Sequence, residues 1–444
     1  MKRIKRCYAT EIAEIVGGRL HGEDKMIDKI SINSKETALN WCFIAIKGKN
    51  FDGNVFINEA IKNGASLIIT DSKIDAKVSS IYVEDTVKAL GKIAKRHIGD
   101  TKIIAVTGSV GKTTTKEMII SVLKEKYSVI GTNKNENNEI GVPLTLLSIQ
   151  NHDFCVVEMG MRAKGEIDYL ASITKPECVV ITNSGTSHLE YLKSRENIFL
   201  AKTEILNYVP KYAVLPNEQR FRNLRKNKIR SLYIEDEDCC IHDYKYTKKG
   251  IILSIKLGRR IIENIKINTF YIHNLKNALF ACKVGEIYNL SDQEIKRGLE
   301  GFVSPQMREE YLEIKGIKVI NDCYNSSYES VESALYSLVN FAEIHKKKPS
   351  ILLGDILEAG EESEEIHRKI GVLCKRLNVN IFAYGKYAKS VLEGADEGFL
   401  LSNIEEISKN ILKNLGEKDA LLVKASRGMH FEKIIEEMKE ISND

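Results

Sequence analysis

The sequence predicts an α/β protein built from three successive domains, at residues 1–85, 86–303 and 304–444. Short apolar runs of strand length alternate with segments of helical periodicity, which is the pattern of parallel sheets covered by helices on both faces. The chain has 444 residues, of which 43% are hydrophobic, and this is enough material for two or three packed domains.

The first domain is predicted to contain short strands and one helix. Residues 41–46 form an apolar run typical of a buried strand, and residues 66–70 form another. Between them, residues 55–63 have a helical periodicity that ends at Gly64. A helix over residues 87–98 then leads into the second domain.

The second and third domains each repeat the order strand, loop and helix. Apolar runs predict strands of the second domain at residues 103–107, 154–157, 178–182 and 212–215. Alternating polarity over residues 251–257 and 261–267 indicates an antiparallel insertion, followed by a helix over residues 273–288. Strands of the third domain are predicted at residues 318–321, 350–353, 381–384 and 420–423.

Charge and cysteine content exclude several classes of protein. The 66 Lys+Arg and 61 Asp+Glu leave a net charge of +5 that is spread along the chain, so we expect no nucleic-acid partner. No apolar stretch reaches the ~18–20 residues that span a bilayer, and the N-terminal residues lack a signal-peptide core. We therefore expect a cytoplasmic protein without membrane insertion. The nine cysteines include no Cys-x-x-Cys motif, and we expect them to be reduced.

The motif TGSVGKTT at residues 107–114 lies directly after a predicted strand and before a helix predicted over residues 115–126. Glycines allow the backbone to turn successive N–H groups toward a phosphate, and the helix N-terminus adds positive potential. Lys112 can reach the outer phosphates, and the Thr113 hydroxyl can hold Mg²⁺. The flanking elements favour nucleotide binding over a plain glycine turn. The predicted phosphate-binding residues are Gly108, Ser109, Val110, Gly111, Lys112, Thr113 and Thr114.

Glu158 and His188 follow two other strands of the same predicted sheet. Both residues should lie at the carboxyl ends of parallel strands, where the ligands of such sheets bind. Alone, Glu158 could equally be a solvated strand end, and a single histidine is more often structural. Their shared position, together with Thr113, favours magnesium ligands.

Lys202 lies on the apolar face of a helix predicted over residues 195–208. The residues that share its face at separations of three and four are Ile198, Phe199, Ile205 and Leu206. From the residues alone, we favour an aliphatic stem packed on this face, with the ammonium at the rim.

Motifs spread over nearly the whole chain resemble the Mur ligase family, and within it the branch that adds D-alanyl-D-alanine to a UDP-N-acetylmuramoyl tripeptide. In chain order they are FIAI at 43–46, TGSVGKTT at 107–114, NENNEIGVPLT at 135–145, EMGM at 158–161, AKTEI at 201–205, HNLKNA at 273–278, LGDILE at 353–358 and KASR at 424–427. The resemblance implies a small N-terminal UDP-binding α/β domain, a central parallel-sheet P-loop ATPase domain and a C-terminal Rossmann-like α/β domain.

The resemblance also implies roles for individual residues. Lys202 is similar to the family's carbamylated lysine, which with Glu158 and His188 helps to hold magnesium; Lys112, His188 and Lys202 are then the catalytic residues. Further implied contacts are Asn274 and Asn277 to adenine, Arg308 to phosphate, Asp322 to ribose, and Ser34, Lys35, Asn137, Asn138, Tyr324 and Asn325 to the other substrates. The structural alternatives are a helix cap for Asn274, a surface salt bridge for Arg308 and a loop acid for Asp322.

The implied activity is ATP- and Mg²⁺-dependent amide ligation through an acyl phosphate, by a monomer whose partners are a UDP-muramoyl peptide and D-Ala-D-Ala. A ligase of the same family with another amino acid or dipeptide substrate, or a non-catalytic ATP-fold binding protein, are the alternatives. The chain departs from the family pattern at Asn33, Lys35, Tyr271 and residues 326–328. These departures concern the acceptor and dipeptide surfaces, whereas the nucleotide motifs are intact.

Overall fold

The computed structural model describes residues 2–48, 51–74, 78–133, 136–185, 194–208, 211–224, 228–357 and 359–443. In this part of the chain the strands form three six-stranded sheets and one three-stranded sheet, with helices packed against them. The predicted α/β class is confirmed.

The first sheet has the strand order β1-β3-β4-β5-β6-β2. Strands β3 to β6 run parallel, and β1 and β2 pair antiparallel at the two edges. Its elements are β1 (Lys2–Tyr8), α1 (Ala9–Val16), β2 (Arg19–His21), β3 (Met26–Ser31), β4 (Trp41–Ile44), α2 (Ile57–Lys62), β5 (Leu67–Thr70) and β6 (Ser79–Tyr82). The helix expected from residue 55 begins later because Gly53–Phe56 forms a 3₁₀ turn, in which the Asp52 carboxylate accepts from the Asn54 N–H.

The second sheet is entirely parallel, with the order β12-β11-β10-β7-β9-β8. Its strands read as continuous apolar runs because helices cover both faces; every residue of β10, for example, is fully buried. The elements are α3 (Thr86–His97), β7 (Lys102–Thr107), α4 (Lys112–Lys124), β8 (Val129–Gly131), α5 (Gly141–Leu146), β9 (Phe154–Glu158), α6 (Glu166–Thr174), β10 (Cys178–Ile181), α7 (Arg195–Thr203), β11 (Tyr212–Pro216), α8 (Gln219–Arg222) and β12 (Arg230–Ile234).

An antiparallel three-stranded sheet follows, in the order β13-β14-β15, and two helices pack on α4. The elements are β13 (Cys239–Thr247), β14 (Gly250–Leu257), β15 (Arg260–Ile267), α9 (His273–Ile287) and α10 (Asp292–Glu300). The two predicted antiparallel strands are confirmed, and β13 was missed because its largely exposed sequence lacks an apolar run.

The third six-stranded sheet has the order β16-β17-β21-β18-β19-β20, parallel except for β16. Its elements are β16 (Glu310–Ile314), β17 (Ile317–Asn321), α11 (Tyr328–His345), β18 (Lys348–Leu353), α12 (Ser363–Arg376), β19 (Asn380–Tyr384), α13 (Ala388–Ala395), β20 (Phe399–Leu401), α14 (Ile407–Asn414), β21 (Asp419–Lys424) and α15 (Glu432–Asn443). No helix in the described part of the chain combines the length and apolarity that crossing a bilayer needs.

Candidate active site

The phosphate-binding loop lies between β7 and α4, at the carboxyl edge of the second sheet. Gly108 has φ +150°, and a Cβ there would lie 1.9 Å from the Thr182 hydroxyl oxygen. Gly111 has φ +81°, and its Cβ would lie 2.8 Å from Asn277 Oδ1. Both positions therefore require glycine, for backbone conformation and for close approach.

The N–H groups of this loop differ from the expectation in one respect. We expected successive N–H groups to point at a phosphate, but those of Ser109 and Val110 each donate to Asn183 Oδ1, at 3.0 Å. The contacts of Ser109 and Val110 to phosphate stay predictions, because their N–H groups are bound to Asn183 in this structure. Helix α4 begins at Lys112, and N–H groups in the first turn of a helix are suited to bind an anion.

Two lysines lie at this loop. Lys112 Nζ donates to the carbonyl oxygens of Gly108, at 2.9 Å, and Ser109, at 3.3 Å. Lys202, on α7, is 1% exposed, and its four apolar neighbours on the helix face are buried as predicted. Burial lowers the pKa of Lys202 well below its usual value, and the positive charge of Lys112 lowers it further. The expected ammonium at the rim is therefore wrong: the Lys202 side chain is buried, and burial disfavours its charged form.

Glu158 ends β9, in register with Val106 on β7 directly before the loop. It is 2% exposed. Its Oε1 accepts a 2.8 Å hydrogen bond from Asn137 Nδ2, and its N–H donates to Thr132 Oγ1 at 2.9 Å. Its Oε2 is buried without a hydrogen-bond partner among the described residues. A buried carboxylate oxygen of this kind is suited to a cation.

The predicted magnesium ligands fit this chemistry, as far as the described residues reach. Thr113 is buried at the start of α4, the helix that follows β7, and β7 pairs with β9, which ends at Glu158. His188 lies outside the described residues. Within the described ranges, this site included, no three His, Cys, Asp or Glu side chains come together as a metal cluster. Mg²⁺ needs only one or two protein oxygens because it retains water and binds substrate phosphates.

Asn274 and Asn277, on α9, form a buried chain of hydrogen bonds with α4. Thr115 Oγ1 donates to Asn277 Oδ1 at 3.0 Å, and Asn277 Nδ2 donates to Asn274 Oδ1 at 2.8 Å. Asn274 Nδ2 donates in turn to Glu309 Oε2 at 2.6 Å. Asn274 thus lies inside its helix rather than at the cap, and this chain connects the phosphate-binding helix to the segment that enters the third sheet.

Asp322 follows β17 and binds two side chains from other elements. Its Oδ2 accepts from Lys424 Nζ at 2.7 Å and from the Tyr271 hydroxyl at 3.2 Å. Lys424 is 1% exposed and also donates to the carbonyl oxygen of the exposed Asn325, at 3.2 Å. Asp322 is thus a fixed carboxylate, not a mobile loop acid.

Arg308 and Tyr324, from two loops next to the third sheet, contact each other. The Arg308 guanidinium lies over the Tyr324 ring, 4.3 Å from its centroid. Burial raises the pKa of the Tyr324 hydroxyl, the charge of Arg308 opposes this rise, and the negative charge of Glu158 adds to it. The two side chains are therefore close enough for the charge of Glu158 to change the pKa of the Tyr324 hydroxyl. Among the described residues no carboxylate forms a salt bridge with Arg308.

The remaining predicted substrate residues lie in two places. In the first sheet, the buried Ser34 hydroxyl donates to Glu59, and Lys35 is exposed with its backbone N–H bound to Asn33 Oδ1. Near Glu158, Asn138 Oδ1 accepts from Gly141 N–H at 2.9 Å and caps α5. Asn137 and Asn138 thus have structural partners already, and their contacts to substrate stay predictions.

Three family models match the chain in succession. They are described as Mur ligase family, catalytic domain, over residues 26–98; Mur ligase middle domain, over residues 106–285; and Mur ligase, glutamate ligase domain, over residues 307–427. The chain is also 34% identical to the UDP-N-acetylmuramoyl-tripeptide--D-alanyl-D-alanine ligase of Bacillus subtilis, over 97% of each chain. The chain belongs to the Mur ligase family.

Solved structures of Mur ligases agree with this membership. MurF from Acinetobacter baumannii, at 26% identity, superimposes with a TM-score of 0.91 over 99% of this chain and 100% of that one. The MurF ligase from Thermotoga maritima, solved in complex with ADP, gives a TM-score of 0.84 at 28% identity, over 93% of this chain and 97% of its own.

Sequence reasoning missed three residues of this Mur ligase site. The side chain of Asn183 accepts from the N–H groups of Ser109 and Val110 and so holds the phosphate-binding loop. Lys116 is 0% exposed and donates to the carbonyl oxygen of Thr132, whose hydroxyl accepts from Glu158 N–H. Glu309 is 3% exposed and binds Asn274. Lys116 could have been found by its helical spacing, because it lies on the buried side of α4.

Proposed function

We propose that this chain is an ATP-dependent ligase that joins D-alanyl-D-alanine to a UDP-N-acetylmuramoyl tripeptide, forming a peptidoglycan precursor, ADP and phosphate. The observation that carries the proposal is the phosphate-binding loop, placed beside the buried carboxylate of Glu158 and the buried amine of Lys202. Relatives that this chain matches over 97% of its length carry this activity in their names.

The reaction that fits this site has two steps. A carboxylate oxygen of the tripeptide attacks the γ-phosphorus of ATP, the bond to the ADP oxygen breaks, and an acyl phosphate forms. The amine of the dipeptide then attacks the acyl carbon, phosphate leaves with the attacking oxygen, and the nitrogen loses a proton. The ammonium of Lys112 and the N–H groups at the start of α4 stabilise the negative charge on the phosphoryl group that is transferred. To do so, Lys112 Nζ leaves the carbonyl oxygens of Gly108 and Ser109 and binds phosphate oxygens instead.

We propose that residues of this chain hold a magnesium ion. Thr113, Glu158, His188 and a carbamylated Lys202 would hold it, and when bound it offsets the charge of the phosphate oxygens. Carbamylation joins the neutral lysine amine to CO₂ and releases one proton. The low pKa of Lys202 supports this step, because only the unprotonated amine attacks CO₂.

We propose the same three domains that the sequence predicts, each built on one of the six-stranded sheets, with the first carrying the UDP-binding residues Ser34 and Lys35. The second boundary falls between α10 and β16, where the chain passes from one sheet to the next. We also propose a cytoplasmic monomer, since each implied partner is a small molecule.

Phosphate release tests the proposed function. We expect release from ATP only when both the UDP-muramoyl tripeptide and D-Ala-D-Ala are present. Release with the tripeptide and a different amino acid or dipeptide would indicate a variant ligase. ATP binding without release under any of these conditions would indicate a non-catalytic protein.

A further inference from the structure

Glu309 is a buried carboxylate on the segment that joins the second sheet to the third. It lies one residue before β16, is 3% exposed, and has φ +52°, a left-handed conformation that is costly for a residue with a side chain. Met307, two residues earlier, has φ +59°. Two such residues so close together persist only where surrounding contacts fix the backbone.

Five donors converge on the two oxygens of Glu309. Oε1 accepts from the N–H groups of Phe270, at 2.6 Å, and Tyr271, at 3.1 Å, and from the Tyr311 hydroxyl. Oε2 accepts from Asn274 Nδ2, and the Thr269 hydroxyl lies within 2.8 Å of both oxygens. A carboxylate with no hydrogen of its own accepts from all five. Burial raises the pKa of Glu309 to about 7, and the hydrogen bonds from Tyr311, Thr269 and Phe270 oppose this rise.

Glu309 binds the residues directly before α9 and a residue in the first turn of this helix. Residues 269–271 enter this helix, which carries Asn274 and Asn277, and the hydroxyl of Tyr271 binds Asp322. Through Asn274, Asn277 and Thr115 the same chain of hydrogen bonds reaches α4. Glu309 therefore contacts, directly or through one side chain, the residues proposed for adenine and for ribose.

We propose that Glu309 is a positioning residue for the nucleoside end of ATP, fixing the start of α9 against the third sheet so that Asn274, Asn277 and Asp322 face the same ligand. The role rests on the proposed function. At the phosphate end of ATP, Lys112 Nζ binds the loop carbonyls of Gly108 and Ser109, and the hydrogen-bond chain from Glu309 reaches α4 at Thr115, after the loop. We therefore expect the main effect of Glu309 at the nucleoside end.

Glu309→Gln is the sharpest variant, because it keeps the size of the side chain but places an NH₂ group opposite donors. Glu310→Gln is the matched control: Glu310 is the adjacent carboxylate, and its Oε2 accepts from Asn321 Nδ2 at 2.8 Å and from the Met307 N–H at 3.3 Å, whereas the groups before α9 bind Glu309. ADP affinity is measured by titration calorimetry. Inorganic triphosphate serves as a competitor that carries the phosphate end alone, and the KM of the UDP-tripeptide is measured in the ligation assay.

We expect Glu309→Gln to raise the ADP dissociation constant about tenfold, as expected for loss of buried hydrogen bonds that place a binding group. Inhibition by triphosphate and the KM of the UDP-tripeptide should stay within about twofold, and Glu310→Gln should leave all three unchanged. Unchanged ADP affinity in a folded Glu309→Gln protein, or equal losses for ADP and triphosphate, would overturn the proposal.

A second variant covers the case in which Glu309→Gln does not fold. Tyr311→Phe removes one donor to Glu309 and touches none of the proposed ligand contacts, so we expect ADP affinity to fall about threefold. Wild-type ADP affinity in that variant contradicts the proposal. Because ADP binding is measured without the other substrates, this outcome is separate from the ligation assay that tests the proposed function.

Discussion

Replacement of Lys202 separates a carbamylated ligand from a packed lysine. Lys202→Met keeps a linear side chain of similar volume among the apolar residues of α7, and we expect it to cost less than about 1.5 kcal/mol of stability. Lys202→Ala leaves a cavity at a site that is 1% exposed, and we expect a cost of about 2–4 kcal/mol. The two variants therefore differ in stability.

The catalytic activities of Lys202→Met and Lys202→Ala should be similar although their stabilities differ. If the carbamate helps to hold magnesium, both variants lack it, and we expect both to lose about 10²–10³ in kcat, the usual cost of removing one preorganised charge-stabilising group. The assay is phosphate release with both substrates, alongside thermal unfolding. Acetate should partly restore Lys202→Ala, where a small carboxylate can enter the space, and should not restore Lys202→Met.

Retained activity in Lys202→Met would contradict the carbamate prediction. If Lys202→Met keeps at least half of the wild-type kcat, the amine is not needed for catalysis and the lysine is only a packed side chain. Wild-type enzyme freed of bicarbonate gives a second check, since the carbamate should then be lost and activity should return on adding bicarbonate.

Three further predictions address other parts of the molecule. Lys112→Ala should abolish ligation with little change in melting temperature, because its amine binds carbonyl oxygens of the loop and is not packed in the core. Normal turnover would remove the phosphate-binding assignment. A protein beginning near residue 100 should lose affinity for the UDP-peptide, and full affinity would contradict the domain proposal. Burial lowers the pKa of His273 to about 4. The free energy of unfolding that its neutral imidazole contributes above pH 6.5 should therefore decrease by up to about 3 kcal/mol as the pH falls toward 4. The same pH dependence in His273→Gln would contradict this.

Much of the fold could be predicted because parallel strands buried on both faces leave a simple signal. The strand at residues 178–182, for example, appears as β10 with one residue fewer, and the helix over residues 273–288 ends one residue earlier. The phosphate-binding helix begins at Lys112, three residues before the expected start, because the left-handed conformation of Gly111 ends the loop there.

Much of the candidate site could not be predicted, because its side chains are brought together by contacts between residues far apart in the sequence. Glu309 stands beside Arg308 and Glu310 in a charged stretch that is typical of a solvated surface. It is buried because Phe270, from the segment before α9, and Tyr311, on β16, bind it and pack against each other. Spacing along one helix predicted the apolar face on which Lys202 lies, whereas no periodicity predicts a pocket made by two segments far apart in the chain.

The transfer of oxygen from carboxylate to phosphate tests the central claim most directly. The tripeptide is labelled with ¹⁸O in its terminal carboxylate, incubated with ATP and D-Ala-D-Ala, and the released phosphate and peptide are analysed by mass spectrometry. An acyl phosphate predicts one ¹⁸O in each phosphate released from doubly labelled substrate, and a product heavier than the tripeptide by the dipeptide less one water. Phosphate without ¹⁸O, or phosphate without that product, would contradict ligation at this site.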